Sequence, residues 1–177
     1  HMWHQEILPR LHRYSTGAII VSKTFKTFGL TEAAEGELVS PLLSSANPTL
    51  AVYAKFDGIH LRLTAKAGSQ KQAEKMIADS EAGIRAIVGE YIWGTDNDTL
   101  EAVVGHLLVE KGLSLAVMES GTGGLLATTI TDVSGSSAYL KGGLVACSNE
   151  AKIAGEVDAG IIAEYSAVSP EVAQAMA

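Results

Sequence analysis

Leu113–Met118 form a mostly apolar run of strand length that ends at the glycine-rich stretch Glu119-Ser120-Gly121-Thr122-Gly123-Gly124. A strand that is apolar without alternation is one covered on both faces, as in a parallel sheet. A parallel neighbour is reached only through a long crossover, usually a helix, so a tight turn directly after such a strand predicts a β-turn-α unit. The flanks agree. Leu100, Val103, Val104, Leu107 and Leu108 recur at helical spacing, with Asp98 and Glu101 resembling a capping box in front and Gly112 as a stop behind. Gly142–Cys147 reads as the next strand, and Asn149 as the cap of the helix after it, which gives the order α-β-α-β-α. Ser169-Pro170-Glu171 then opens a helix that reaches the last residue, Ala177, so an α/β domain truncated at its C-terminus is expected.

The first half follows another pattern. Gly17–Lys26 is β-rich, and Thr31 caps a helix carrying Ala34, Leu38, Leu42 and Leu43 despite Gly36 and Pro41. After Asn47-Pro48, Leu50–Phe56 meets Ile59–Lys66 across Asp57-Gly58, a dipeptide suited to a hairpin. Ile59, Leu61, Leu63 and Ala65 alternate with His60, Arg62, Thr64 and Lys66, the period of a sheet with one wet face. Ser69 with Gln72 makes a capping box for a helix whose stripe is Ala73, Met76, Ile77, Ile84 and Ile87. This half reads as an α+β domain in the order strand, helix, strand, strand, helix. Tyr91-Ile92-Trp93-Gly94 and the polar run Thr95–Asp98 read as the boundary between the halves.

Composition narrows the function. The formal charge of −7 disfavours nucleic acid as a partner, because a phosphate-backbone binder shows a basic footprint. One cysteine, Cys147, excludes an intramolecular disulfide and fits a reducing, cytoplasmic compartment. No apolar run approaches the ~20 residues of a membrane span. His4, His12, His60 and His106 show no close ligand pairing, so no metal is expected, and Cys147 reads as a small buried residue. His1-Met2 read as a tag remnant.

Chemistry belongs at the carboxyl ends of strands in an open α/β sheet. There Ser120 is placed to act as a nucleophile, with the glycines allowing close backbone approach and the helix start offering N–H groups to a phosphate or an oxyanion. The plainer alternative makes Ser120 a helix cap and the glycines a tight turn. Neither a Walker loop nor a dinucleotide fingerprint is present. Lys152, at the second strand end in Cys147-Ser148-Asn149-Glu150-Ala151-Lys152, is the available base if burial favours its neutral amine; otherwise it is an exposed lysine. Glu119 and Glu150 either orient that lysine or are solvated, and Ser136 and Ser137 either bind phosphate or cap a helix.

The stretches Ala116–Gly124, Thr131–Tyr139 and Ser148–Lys152, followed by Tyr165-Ser166-Ala167-Val168-Ser169, resemble successive motifs of the CinA (competence/damage-inducible protein) family, in the family's order. Ser45–Thr49, Tyr53-Ala54-Lys55 and Leu61–Lys66 resemble its KH-like middle domain. The resemblance implies four segments: a tag remnant at 1–2, the tail of an upstream domain at 3–14, a KH-like α+β domain at 15–95, and part of the family's C-terminal amidohydrolase domain at 96–177. It also implies hydrolysis of the amide of nicotinamide mononucleotide to nicotinic acid mononucleotide and ammonia, with no cofactor and with homodimers; the alternative reading is a non-enzymatic dimerisation or interaction module, or a nucleotide-binding sensor.

Within that resemblance Ser120 is the nucleophile and Lys152 its base. Gly121, Thr122, Gly123, Gly124, Ser136 and Asn149 are the substrate-binding residues, the N–H groups from Gly121 to Gly123 serving the oxyanion. Two positions depart from the family's pattern: Gly121 stands where a cysteine is usual, and Cys147 where a tyrosine is usual. The family's pyrophosphatase-like domain and its later Gly-Ile-Ala-Gly-Pro segment lie outside these 177 residues.

Overall fold

The computed structural model describes residues 2–7, 10 and 17–177; residues 1, 8–9 and 11–16, which include His12 and part of the expected upstream tail, lie outside it. Trp3–Ile7 form a π-helical turn. The rest divides into two compact units, one ending at Asp98 and one beginning at Thr99. No helix among the described residues is long and apolar enough to cross a membrane.

In the first unit, β1 (Ile19–Thr27), β2 (Thr49–Lys55), β3 (Gly58–Ala67) and β4 (Ile92–Thr95) form one antiparallel sheet in the order β2-β3-β1-β4. One face is covered by α1 (Glu32–Leu38), α2 (Ser40–Leu43) and α3 (Gln70–Val88). The local signals act as expected at the caps: the Thr31 hydroxyl accepts from Ala34 N–H and that of Ser69 from Gln72 N–H. The single helix expected after Thr31 breaks in two, because Pro41 cannot continue a helix but fits the first turn of a new one. Asn47 pins the loop ahead of β2 by using its amide like a strand: Nδ2 donates to Lys66 O at 2.8 Å and Oδ1 accepts from Lys66 N at 2.9 Å. The core gathers Phe25, Leu50, Leu61, Leu63, Ala65, Ala73, Ile77, Ile84 and Val88.

One expectation needs correction here. Ile92–Thr95, read only as part of the boundary at the end of the 15–95 domain, is its fourth strand, paired with β1 from Phe25 to Thr27. The polar residues after it are tied to β1 and β4: Thr24 N–H donates to Asp96 Oδ1 at 2.8 Å, and Asp98 Oδ2 accepts from Thr95 N–H at 2.7 Å. Asp98 is thereby used up, and Thr99 rather than Asp98 caps the helix that follows, accepting from Ala102 N–H.

Within this core Glu35 is fully buried. The Thr27 hydroxyl lies 2.8 and 2.7 Å from its two oxygens and 3.0 Å from Ile59 O. One hydroxyl proton cannot serve all three acceptors. A protonated Glu35 resolves the deficit, donating to Thr27, which then donates to Ile59 O. Burial raises the Glu35 pKa above its ordinary 4.5, and the Thr27 hydrogen bond opposes this in part. A group whose folded pKa is raised contributes stability that is whole below 4.5 and is lost as pH climbs through the folded value. Glu35→Gln, which keeps shape and donor, is expected to flatten the fall in urea midpoint over that window, and an unchanged pH profile would refute the protonated form.

The second unit holds α4 (Leu100–Glu110), β5 (Leu115–Glu119), α5 (Leu125–Thr131), β6 (Leu140–Val145), α6 (Asn149–Ala154), α7 (Ala159–Tyr165) and α8 (Pro170–Met176). β5 and β6 run parallel, from Leu115 opposite Leu140 to Glu119 opposite Val145. The parallel pair was expected; its full coverage is not found. Ala116 is exposed, and in α4 Leu100, Val104 and Leu107 keep 40 to 45% of their surface, whereas Gly105 is buried. A Cβ on Gly105 would overlap the Tyr139 ring, so the small residue, rather than the leucine stripe, makes the tightest approach of α4. The helix after β6 also ends early at Gly155 and restarts at Asp158, whose side chain caps α7.

Candidate active site

Because β5 and β6 are parallel and in register, their carboxyl ends lie side by side, and Ala146 N–H donates to Glu119 O at 2.7 Å. Ser120 leaves one strand where Ala146 and Cys147 leave the other. Ser148, not Asn149, caps α6 and accepts from Ala151 N–H at 3.1 Å. The cap residue is outside the helix, so the expected Asn149 becomes its first residue, exposed to solvent. One turn on, Lys152 points back beneath the strand ends and is 1% exposed. Its Nζ donates to Ser120 Oγ at 3.0 Å, Ala146 O at 2.9 Å and Cys147 O at 3.3 Å. Of the two readings of Lys152, the exposed one is therefore excluded.

Glu119 overturns its own expectation. It is buried, and it neither meets Lys152 nor sits in solvent. Its carboxylate accepts from Thr122 Oγ1 at 2.6 Å and from the N–H groups of Leu126 and Ala127 at 2.8 Å each. These bonds, the Thr122 hydroxyl first and then Ala127 N–H and Leu126 N–H, hold its pKa below the ordinary value against desolvation. An internal anion thus occupies the start of α5. Glu150, in the first turn of α6, is held low by its own backbone N–H and by Ser148.

The glycine turn divides its labour. Gly123 and Gly124 have φ of 64° and 98°, the left-handed region that glycine enters without strain, and Gly124 caps α5. Gly123 N–H donates to Ser120 O at 3.0 Å, so it is spent on the turn and not free for an oxyanion. Among the described residues none accepts from the N–H groups of Gly121 and Thr122. Cys147, expected to be buried, is exposed, with Sγ 3.4 Å from Ser120 O.

Ser120, Gly121 and Thr122 open into a cavity of about 410 Å³ whose other wall is Leu126 with Val168, Val172 and Met176 from α8 and the loop before it. That apolar wall was not anticipated; only the start of α8 was visible, in Ser169-Pro170. Ser136 is not brought here. It lies in a short 3-10 turn ahead of β6, at the opposite end of the parallel pair from Ser120. Asn149 is likewise absent from the cavity lining. Among the described residues no group of three His, Cys, Asp or Glu is arranged to hold a metal ion.

Two family profiles account for most of the chain: one described as the damage-inducible protein CinA KH domain over residues 22–94, and the CinA C-terminal domain over residues 97–177. The chain belongs to the CinA family. A relative in Moorella thermoacetica, named as a competence-damage inducible protein, is 49% identical over 97% of this chain and 42% of its own length. One of the same name in Clostridium kluyveri is 45% identical over 99% of this chain and 43% of its own. A CinA-like protein of Acaryochloris marina is 43% identical over 99% of this chain and 42% of its own. The chain therefore spans less than half the length of these CinA relatives.

Proposed function

We propose that the second unit hydrolyses the carboxamide of nicotinamide mononucleotide by serine-based acyl transfer. The observation that carries this reading is the buried Lys152 Nζ held 3.0 Å from Ser120 Oγ. In its neutral form the amine accepts the Ser120 proton as Oγ attacks the amide carbon. The N–H groups of Gly121 and Thr122, uncommitted among the described residues, face the developing oxyanion and replace that of Gly123 in this role. Collapse of the tetrahedral intermediate breaks the C–N bond, and Lys152 passes its proton to the departing ammonia. Water, deprotonated by the same amine, then releases nicotinic acid mononucleotide and restores Ser120. The Val172 and Met176 wall suits the flat face of the pyridine ring.

The protein in this reading is a cytoplasmic homodimer that uses no cofactor. Ser120→Ala is expected to lower ammonia release from nicotinamide mononucleotide by at least about a thousandfold without changing the circular dichroism spectrum. Ammonia release is to be measured for this chain and for the longer Moorella relative with its matching serine replaced. Release that persists in the variants, or none from either folded parent, sinks the proposal.

A further inference from the structure

Among the described residues, the polar side chains on the wall of the Ser120 cavity are those of Glu119, Ser120, Thr122 and Ser169. Two of them are already engaged within the protein. Ser169 Oγ donates to Ser166 O at 3.2 Å and accepts from Val172 N–H at 3.2 Å. Glu119, 7% exposed, accepts from Thr122 Oγ1, Leu126 N–H and Ala127 N–H. Ser120 meets Lys152, which leaves Thr122 as the side chain open to a ligand beside it.

The direction of the Thr122 hydrogen bond limits what that ligand can be. The same three bonds hold the Glu119 carboxyl ionised, and a carboxylate only accepts. The hydroxyl proton of Thr122 is therefore committed to Glu119 Oε2, at 2.6 Å. What the oxygen keeps is acceptor capacity, and among the described residues no donor reaches it. Thr122 thus carries side by side an uncommitted backbone N–H and a hydroxyl oxygen that can only accept. A primary carboxamide is the complement of that pair, with an acceptor oxygen and a donor NH2 on one carbon. A carboxylate offers two acceptors, and a methyl ketone an acceptor with no donor.

We propose that Thr122 is a specificity residue that accepts an N–H of the substrate carboxamide, and that Glu119 is the positioning residue that fixes its hydroxyl oxygen as an acceptor. The substrate in this proposal rests on the amide-hydrolysis reading given above. A site built to bond a substrate N–H rejects an analogue that lacks it, because its own acceptor is left unpaired. Hydrolysis makes that change by itself. The NH2 that faced Thr122 leaves as ammonia, and the acid product sets an acceptor against an acceptor, next to the Glu119 anion. The polarity that selects the amide therefore also loosens the product.

The test is calorimetric binding to this chain carrying Ser120→Ala, so that no ligand is attacked. Three probes are compared: nicotinamide mononucleotide, its acetylpyridine analogue with a methyl group for the NH2, and nicotinic acid mononucleotide. The amide is expected to bind at least about tenfold tighter than the ketone and the acid. Thr122→Val, which keeps the shape without the hydroxyl, is expected to bring amide and ketone within about twofold, whereas Thr122→Ser keeps the preference. Glu119→Gln removes the anion and is expected to tighten the acid at least about threefold, which a merely structural residue would not do. The proposal falls if amide and ketone bind alike, if none of the three binds, if Thr122→Val keeps the preference, or if Glu119→Gln weakens all three together. Ammonia release by the parent chain separates this proposal from the reading beneath it. Release without a Thr122-dependent preference overturns the role of Thr122 alone, and the preference without release overturns hydrolysis alone.

Discussion

Gly58→Ala is expected to destabilise the first unit by more than about 4 kcal/mol, a loss reserved for backbone conflicts and core disruption. Two causes act together. Gly58 has φ of 128°, a conformation L side chains rarely adopt, and a Cβ built there would overlap the carbonyl oxygen of Thr27. The overlap is with backbone, so no rotamer change relieves it, and β3 would have to draw away from β1. That movement would break the pairing of Thr27 with Ile59 and expose the Glu35 carboxyl that Thr27 shields. Gly121→Ala is the contrasting case. A Cβ there meets nothing within 4 Å and the φ is not left-handed, so the stability change should stay within about 0.5 kcal/mol. Urea unfolding of the two variants beside the parent decides the matter, and a Gly58→Ala protein of near-parent midpoint would refute the close approach.

The hairpin also shows which parts of this fold are legible from sequence. Asp57-Gly58, Thr31 and Ser69 announce themselves because their roles are local: a turn, and two hydroxyls three residues from the N–H they accept. Gly58's contact with Thr27 is not local, and nothing in the dipeptide distinguishes a glycine needed for its φ from one needed for a bare backbone. β4 is illegible for a related reason. Four residues carry too little periodicity, and its partner lies some seventy positions earlier in the chain, at Phe25 opposite Thr95.

The site follows the same division. Ser120 and Lys152 stand out because each follows a strand, but their meeting depends on β5 and β6 being parallel neighbours in register. Glu119 looks like any acid beside a glycine turn until α5 folds its first N–H groups onto it. Asn149 and Ser148 are both good caps by composition, and only the backbone decides between them. The inner wall from α8 is a tertiary fact, set by where that helix returns, and Ser169-Pro170 records only that it starts.

Lys152→Met is expected to lower amide turnover by about a thousandfold or more while the second unit stays folded. Methionine matches much of the buried volume but can neither take nor return a proton. The energetic account has opposing parts. Removing the amine strips a donor from Cys147 O, on an exposed residue, and from the buried Ala146 O, at about 1–3 kcal/mol for an acceptor left buried and unsatisfied. It also relieves the chain of burying an ammonium, which costs several kcal/mol whenever that form is present. The two nearly offset, so the net change in stability should remain within about 2 kcal/mol. Lys152→Arg separates base chemistry from charge. A guanidinium stays protonated, so it can still donate to the same carbonyl oxygens but cannot accept the Ser120 proton. Turnover is therefore expected to vanish in Lys152→Arg as in Lys152→Met, measured as ammonia release beside urea midpoints. If Lys152→Arg works at the parent rate, Lys152 only braces the strand ends, and the proton of Ser120 leaves by another route.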